Sequence, residues 1–227
     1  VTGVQTCALP ILKDYAGEMV TLDQIDGDFC RGYITYLLTE YHPKGKDISN
    51  YTLHNYYRAL NGALNSAVRK KKMKANPFNE LEKSEKIRKP ESMRSYMTIE
   101  EVQALIDTPM PHEEYEIVKC AYLFSCFCGL RISDIIKLKW NDVFVDRGQY
   151  RLAVSMKKTK EPIYLPLSPE ALKWMPERGG KSSEDNVFDL PSANTIRMQL
   201  KPWAKAAGIS KRFSYHTSRH TFATMML

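Results

Sequence analysis

Apolar residues in the first part of the chain recur every three or four positions, which is the spacing of helices with one buried face. The first such segment runs from Leu12 to a helix-breaking sequence, HPKG, at residues 42–45. Its candidate caps and apolar positions are Thr21, Asp23, Ile34, Leu37 and Leu38. A second helix begins near Ser49 or Asn50, and its apolar stripe consists of Leu53, Tyr57, Leu60, Leu64, Ala67 and Val68. This part of the chain is therefore predicted to be all-helical.

A second group of helices is predicted after residue 97. Thr98 followed by Glu101 has the spacing of a capping box, ahead of the apolar positions Val102, Leu105 and Ile106. Residues 114–128 are almost continuously apolar after their first turn, which predicts a helix buried on all sides that ends at Gly129.

A short helix is expected next, capped by Ser133 and Asp134 and reaching Leu138. Residues 150–155 and 163–167 then carry β-branched or aromatic side chains in partial alternation, which predicts two strands of a hairpin.

Two more helices complete the pattern. Ser168 and Pro169 supply a cap and a first-turn proline, and residues 192–207 form a helix that Gly208 ends. The predicted fold class is mainly α with a small antiparallel β-sheet.

A polar stretch without apolar periodicity divides the chain into two domains. We predict a helical domain at residues 12–84, a linker at 85–96 and a second domain at 97–227. Residues 1–11, VTGVQTCALPI, resemble the translation of a sequencing adapter and are set apart from the fold. The last residues, ATMML, continue an apolar helix without a stop signal, so we expect a fragment truncated at both ends.

Composition favours a polyanionic partner. The 227 residues include 33 lysines and arginines against 26 acidic residues, which gives a formal net charge of +7. No apolar run approaches the roughly 20 residues that span a bilayer, so no membrane contact and a cytoplasmic location are expected. The five cysteines lack regular spacing, which favours reduced thiols over a disulfide framework.

A cluster of cations lies at the predicted end of the second helix and comprises Arg69, Lys70, Lys71 and Lys72. Such a cluster can contact a phosphate backbone through charge attraction and counterion release. The alternative is a solvated helix end whose cations complement the helix dipole. The sequence alone leaves both interpretations open.

Two arginines are candidates for phosphate chemistry. Arg131 lies in GLRISD, where a buried helix breaks at a glycine, and Arg219 lies in HTSRHTF, one helical turn after His216. Two guanidinium groups can neutralise the charge that develops on phosphate oxygens during cleavage, without a metal. Taken singly, Arg131 could instead pair with Asp134, and His216 could be a buried hydrogen-bonded histidine.

A zinc site is a further alternative, because His216 and His220 have the i, i+4 spacing of two ligands on one helix face. No glutamate follows His216, and Cys126 and Cys128 form C-x-C within an apolar helix rather than C-x-x-C. We therefore predict no metal and no other cofactor.

In this order and around a basic hairpin tip, the two arginine motifs resemble those of the tyrosine recombinase or phage integrase family, in particular integrases of Bacteroides-type mobile elements. The resemblance covers nearly the whole chain from Leu12 onward. It implies a helical, SAM-like core-binding domain followed by the catalytic domain of the DNA breaking-rejoining enzymes. The two domains would close around duplex DNA as a C-shaped clamp, and the protein would self-associate as a tetramer on recombination sites.

The resemblance also implies roles for single residues. Arg131 and Arg219 would be the catalytic arginines, with Asp134 as a supporting carboxylate, and His216 would assist proton transfer at the attacking tyrosine. Lys158 would protonate the departing 5′ hydroxyl. Lys157 and Lys160 would bind DNA, although either could replace Lys158, and the alternative is that all three lysines only bind phosphate.

The attacking tyrosine of the family, which forms a 3′-phosphotyrosyl intermediate, has no counterpart here. It is expected beyond Leu227, and Tyr215 lies on the wrong side of the histidine motif to replace it. The chain as given is therefore expected to be inactive in strand cleavage. The alternative function is a non-catalytic, sequence-specific DNA-binding protein with the same fold.

Overall fold

The computed structural model describes residues 4–91, 95–155 and 162–226. The chain forms two compact units, Val1–Ser92 and Met93–Leu227. The α-helices formed by the described residues of unit 1 are α1 (Val4–Ala16), α2 (Gly27–Thr39) and α3 (Asn50–Arg69). Unit 2 contains α4 (Ile99–Asp107), α5 (Glu116–Cys128), α6 (Ile132–Ile135), β1 (Val143–Asp146), β2 (Gln149–Ser155), β3 (Pro162–Pro166), α7 (Pro169–Lys173), α8 (Ala193–Ala206) and α9 (Tyr215–Met225). The mainly helical fold with a small antiparallel sheet is confirmed.

The helix predictions for unit 1 hold for α3 and need correction for α2. Ser49 caps α3 by accepting from the Thr52 amide at 3.2 Å, and the stripe from Leu53 to Leu64 is buried. The cap of α2 is Asp26, whose carboxylate accepts from the Phe29 amide, whereas Thr21 caps a separate 3-10 turn. Leu38 was predicted to face the core, but it is 55% exposed because the buried stripe passes through Ile34 and Leu37.

The core of unit 1 is rich in aromatic side chains. Tyr33 and Phe78 are 0% and 1% exposed, and Cys30 is fully buried beside them. Helix α1 continues through residues 4–11, the segment that the sequence analysis set apart, and Ile11 packs into this core. The adapter origin of these residues stays a prediction.

The beginning of the predicted linker packs on unit 1. Arg31 Nε donates to Glu85 Oε1 at 2.9 Å, and the side chain of Ile87 lies against the unit 1 core. Residues 92–94 lie outside the described part of the chain.

Unit 2 is organised around α5, whose side chains are buried on all faces as predicted. Its first core cluster, which includes Tyr122 and Trp203, joins α5 to α4, α8 and the start of α9. A second cluster, which includes Phe124 and Phe188, joins α5 to the sheet and α7. The capping box of Thr98 and Glu101 is present, as predicted.

The sheet contains the predicted hairpin and one strand that the sequence analysis missed. Strands β2 and β3 pair antiparallel, with Ser155 opposite Pro162, and β1 pairs with the other edge of β2. Arg147 and Gly148 join β1 to β2 with φ values of 52° and 77°. Two consecutive positive φ angles are typical of the tight hairpin turn that matches strand twist. The sequence signal that could have revealed β1 is the pair of β-branched residues Val143 and Val145 shortly before Arg147-Gly148.

Candidate functional site

The candidate site begins where α5 ends. Gly129 adopts the left-handed conformation with φ 72°, and a Cβ atom built there would lie 2.4 Å from Cδ1 of Phe222. Only glycine satisfies both conditions, since a side chain would be strained and would overlap the ring. This close approach holds the C-terminus of α5 against α9, although Gly129 and Phe222 are distant in sequence.

Arg219 crosses the contact between these helices. Its Nη1 donates to the carbonyl oxygen of Gly129 at 2.5 Å, and its side chain is half-buried. Arg131 follows Gly129 by two residues, at most about 7 Å of extended chain, and it is the exposed N-cap residue of α6. The structure thus brings the surroundings of the two predicted arginines together.

The charge at this contact is not balanced by an ion pair with any acid in the described part of the chain. Of the ion pairs between residues that the structure describes, none includes Arg131 or Arg219. Burial raises the pKa of the neighbouring Cys128 thiol to about 12, although the Leu130 backbone and the Arg219 charge oppose that rise. The thiol is therefore neutral near pH 7 and places no negative charge beside Arg219.

His216 lies on the same face of α9 as Arg219. Its side chain is exposed, and its ring packs edge-to-face against His220 with 4.6 Å between centroids. Among the residues that the structure describes, no group of three or more potential metal ligands occurs. A purely structural His216 was expected to be buried, whereas its side chain is exposed.

The predicted cap of the short helix α6 needs correction. Ser133 and Asp134 lie within α6 rather than before it, because the N-cap position belongs to Arg131. Oδ1 of Asp134 accepts from Ser133 Oγ at 3.1 Å, and none of the ion pairs between described residues joins it to Arg131.

Tyr215 lies on the buried side of α9, and its hydroxyl donates to the Ala121 carbonyl at 2.7 Å. Ser125 Oγ lies 2.9 Å from the same hydroxyl. Burial raises the pKa of Tyr215 well above its usual value, although the Ser125 hydrogen bond opposes the rise. A neutral, enclosed phenol of this kind stabilises the packing of α5 and α9.

The three predicted hairpin lysines, Lys157, Lys158 and Lys160, fall outside the described residues. Strands β2 and β3 flank them in sequence, and the lysine assignments stay predictions.

In unit 1, the four predicted DNA-binding cations Arg69, Lys70, Lys71 and Lys72 are all exposed at the C-terminal end of α3. None of them takes part in an ion pair with another described residue. Their position at a helix C-terminus also suits the alternative, a favourable interaction with the helix dipole.

Sequence reasoning missed a cationic groove beside His216. A cavity of about 710 Å³ lies along α8 and the segment before α9, and Ile132 and His216 are among its lining residues. Its apolar lining carries five cations, namely Arg197, Lys201, Lys205, Lys211 and Arg212. The i, i+4, i+8 spacing of the first three was the available signal.

No helix within the described ranges combines the length and apolar character that a membrane crossing requires.

Two family sequence models together match almost the whole chain. The model described as the phage integrase family matches residues 95–227, and the phage integrase SAM-like domain matches residues 4–98.

Curated relatives agree with this match. The chain is 28% identical over 205 residues to a tyrosine recombinase of Pseudothermotoga lettingae, covering 80% of this chain and 70% of the relative. It is 32% identical over 165 residues to tyrosine recombinase XerD of Chlorobaculum tepidum, covering 63% of this chain and 53% of the relative. The alignment with XerD of Vibrio vulnificus covers 49% of that relative, so several matches span about half of the relative's length.

Solved structures with the same fold are DNA-bound recombinases. The Tn1549 transposon integrase with a circular intermediate DNA gives a TM-score of 0.72 at 18% identity, covering 97% of this chain and 78% of that one. XerH recombinase in a post-cleavage complex with difH gives 0.70 at 17% identity, covering 98% and 67%. A lambda integrase tetramer on a Holliday junction gives 0.68 at 18% identity, covering 98% and 63%. At these identities the likeness shows the fold.

Proposed function

Because the chain belongs to the phage integrase family, we propose that its protein is a site-specific DNA recombinase that cuts and rejoins duplex DNA by transesterification. A tyrosine attacks the phosphodiester, a 3′-phosphotyrosyl bond replaces the DNA bond, and the 5′ hydroxyl departs. The energy of the phosphodiester is conserved in this exchange, so the reaction requires no ATP.

The observation that carries the proposal is the hydrogen bond between Arg219 and the Gly129 carbonyl, two residues before Arg131. It uses one of the five N–H donors of a guanidinium and leaves the others for a ligand. In this proposal the Arg131 guanidinium joins that of Arg219 on one phosphate, and the two groups stabilise the charge that develops in the transition state. Charge neutralisation of this kind does not call for a divalent metal.

The remaining roles are part of the same proposal. His216, exposed one helical turn before Arg219, handles the proton of the attacking tyrosine. Lys158 donates the proton to the departing 5′ hydroxyl, and Lys157 and Lys160 bind the DNA beside it. The cations at residues 69–72 bind the phosphate backbone.

Double-stranded DNA is the proposed substrate, and paired protomers of a tetramer would exchange strands on it. The proposed place of action is the cytoplasm, at the nucleoid. Integration of a mobile element is the proposed use, in keeping with the likeness to a transposon integrase. The tie to Bacteroides-type elements stays part of this proposal.

The test is covalent capture. The attacking tyrosine is predicted beyond Leu227, so the protein is extended to its natural stop codon, and its site is first selected from a random duplex library. A nicked suicide duplex carrying that site should then give a covalent protein-DNA adduct in EDTA. Arg131→Ala or Arg219→Ala should lower adduct formation by about 100-fold or more and retain most of the binding.

Arg178→Ala is the matched control, because Arg178 is an exposed arginine of unit 2 whose Nε donates to the nearby Lys181 carbonyl at 3.0 Å. It should form the adduct at the normal rate. Tight, selective binding without any adduct would instead support the alternative, a non-catalytic DNA-binding protein.

A further inference from the structure

Helix α3 ends in an unusual backbone turn. Lys71 has φ 57°, the left-handed conformation, and its amide donates to the Val68 carbonyl at 2.9 Å. The Lys72 amide donates to the Ala67 carbonyl at 2.9 Å. This pair of bonds is the Schellman cap, in which the left-handed residue is usually glycine because a Cβ atom is costly there. A lysine therefore occupies a position where glycine would fold better.

The chain just after this turn is fixed to α3 by Asn76, which is 3% exposed. Its Nδ2 donates to Asn61 Oδ1 at 2.7 Å and to Asn65 Oδ1 at 2.8 Å. Its Oδ1 accepts from the Phe78 amide at 3.0 Å. Since a backbone N–H requires an acceptor, the Phe78 contact fixes which end of the amide is oxygen, and the other end must donate to α3.

An aromatic contact holds Phe78, two residues after Asn76. Phe78 is 1% exposed, and its ring meets Tyr57 of α3 edge-to-face with 5.0 Å between centroids. The segment from Arg69 to Lys74, which we call the basic turn, is therefore held by the Schellman cap before it and by Asn76 and Phe78 after it. Few rotations are left to a short segment attached at both ends.

We propose that the basic turn is a preorganised phosphate-binding element, in which Lys71 retains a charge at the expense of backbone strain and Asn76 is a positioning residue. Strained residues persist where the surrounding contacts determine them, and they are concentrated at functional sites. A turn that is ordered before binding loses less conformational freedom on contact with DNA. The inference rests on the proposed DNA function and adds a residue-level account of its unit 1 contact.

Lys71→Gly separates this idea from a purely structural role, because it should move stability and binding in opposite directions. Relief of the left-handed strain should slow hydrogen exchange of the α3 amides by about 3- to 5-fold. Loss of the charge should weaken binding to a random-sequence duplex of about 30 base pairs by about 3-fold. The slope of log affinity against log salt should become shallower by about 0.9.

Two matched variants separate charge from strain. Lys72→Gly removes a neighbouring charge at a residue without positive φ, so binding should weaken as for Lys71→Gly while exchange stays equal or becomes faster. Lys46→Gly removes an exposed lysine from another part of unit 1 and should leave the affinity nearly unchanged. An equal loss of affinity with Lys46→Gly would mean that only net charge matters, which overturns the inference.

The role of Asn76 is tested through its partners, so that Asn76 itself and the net charge are unchanged. Asn61→Ala/Asn65→Ala removes both side-chain acceptors and should weaken duplex binding about 3-fold at a temperature where the variant is fully folded. Asn55→Ala, earlier on the same helix, is the control and should bind normally. The proposal is contradicted if the double variant keeps the affinity of the parent, or if Lys71→Gly binds the duplex as well as the parent does. A parent chain that binds no duplex at low salt contradicts the proposed function instead.

Discussion

The candidate functional residues of the two units are held in place by different kinds of contact. In unit 1 the cations of the basic turn follow one another at the end of a single helix, and all four predicted ones are exposed. In unit 2 the Arg219 guanidinium bonds a carbonyl that lies 90 residues away in sequence. A surface of the first kind can lose one charge and keep the rest. A site of the second kind depends on the packing of two helices, so a substitution that displaces one helix from the other should change stability and chemistry together.

Buried thiols offer one way to compare the two units in solution. Burial, and then the charges of Asp26 and Glu80, raise the pKa of Cys30 in unit 1 to about 12. Burial likewise raises the pKa of Cys128 in unit 2 to about 12. At pH 9 about one in a thousand of such thiols is ionised. Of thiols with the ordinary pKa of about 8.5, most are ionised at the same pH.

We therefore expect Cys30 and Cys128 to react with iodoacetamide at pH 9 about a thousand-fold more slowly than in the urea-unfolded chain, as measured by mass spectrometry of peptides. Because the native state holds these protons more tightly, their contribution to stability is complete below about pH 8.5 and is lost as pH rises toward 12. Fast labelling of Cys128 alone would show that the contact between α5 and α9 opens independently of the unit 1 core.

Gly129→Ala should break the unit 2 site most severely. The left-handed backbone costs a Cβ-bearing residue about 1–2 kcal/mol, and the overlap with Phe222 adds about 1–3 kcal/mol. We expect a loss of about 2–5 kcal/mol in the free energy of unfolding, measured by urea titration. Labelling of Cys128 should accelerate, and that of Cys30 should not change.

Gly208→Ala is the matched control for this substitution. Gly208 follows α8 with φ 75°, but a Cβ atom there would meet no atom within 4 Å. It should therefore lose only the backbone contribution of about 1–2 kcal/mol. Equal losses for the two variants would show that contact with Phe222 does not hold the site together.

The same contrast explains which features the sequence could predict. Repeating apolar positions and local caps identified α3, α4, α5 and the β2–β3 hairpin, because these signals lie within one element. The basic turn was found for the same reason. Asp26 was missed as a cap because Thr21 and Asp23 offered equivalent chemistry a few residues earlier.

Long-range contacts were not predictable from these patterns. Gly129 could be recognised as a helix end, but the Phe222 ring that excludes a Cβ atom comes from α9. Asn76 looked like an ordinary turn residue, and its two side-chain acceptors lie 11 and 15 residues earlier on α3. The proposed roles of Arg131 and Arg219 came from resemblance, and only the fold shows that Arg219 bonds the Gly129 carbonyl, two residues before Arg131.

The smallest effect is predicted for Tyr215→Phe, which tests whether stability can change at the contact of α5 and α9 without a change in the chemistry. Tyr215→Phe removes a hydroxyl that donates to the Ala121 carbonyl, but Ser125 Oγ still donates to that carbonyl at 3.0 Å. Because the acceptor stays satisfied, the loss in unfolding free energy should be about 1 kcal/mol. Arg219 lies one helical turn after Tyr215, but its guanidinium bonds the Gly129 carbonyl rather than the Tyr215 hydroxyl, so the extended protein should form the covalent adduct at the normal rate. If the adduct disappears while circular dichroism and duplex binding stay normal, Tyr215 contributes to the chemistry, and its assignment to helix packing alone is wrong.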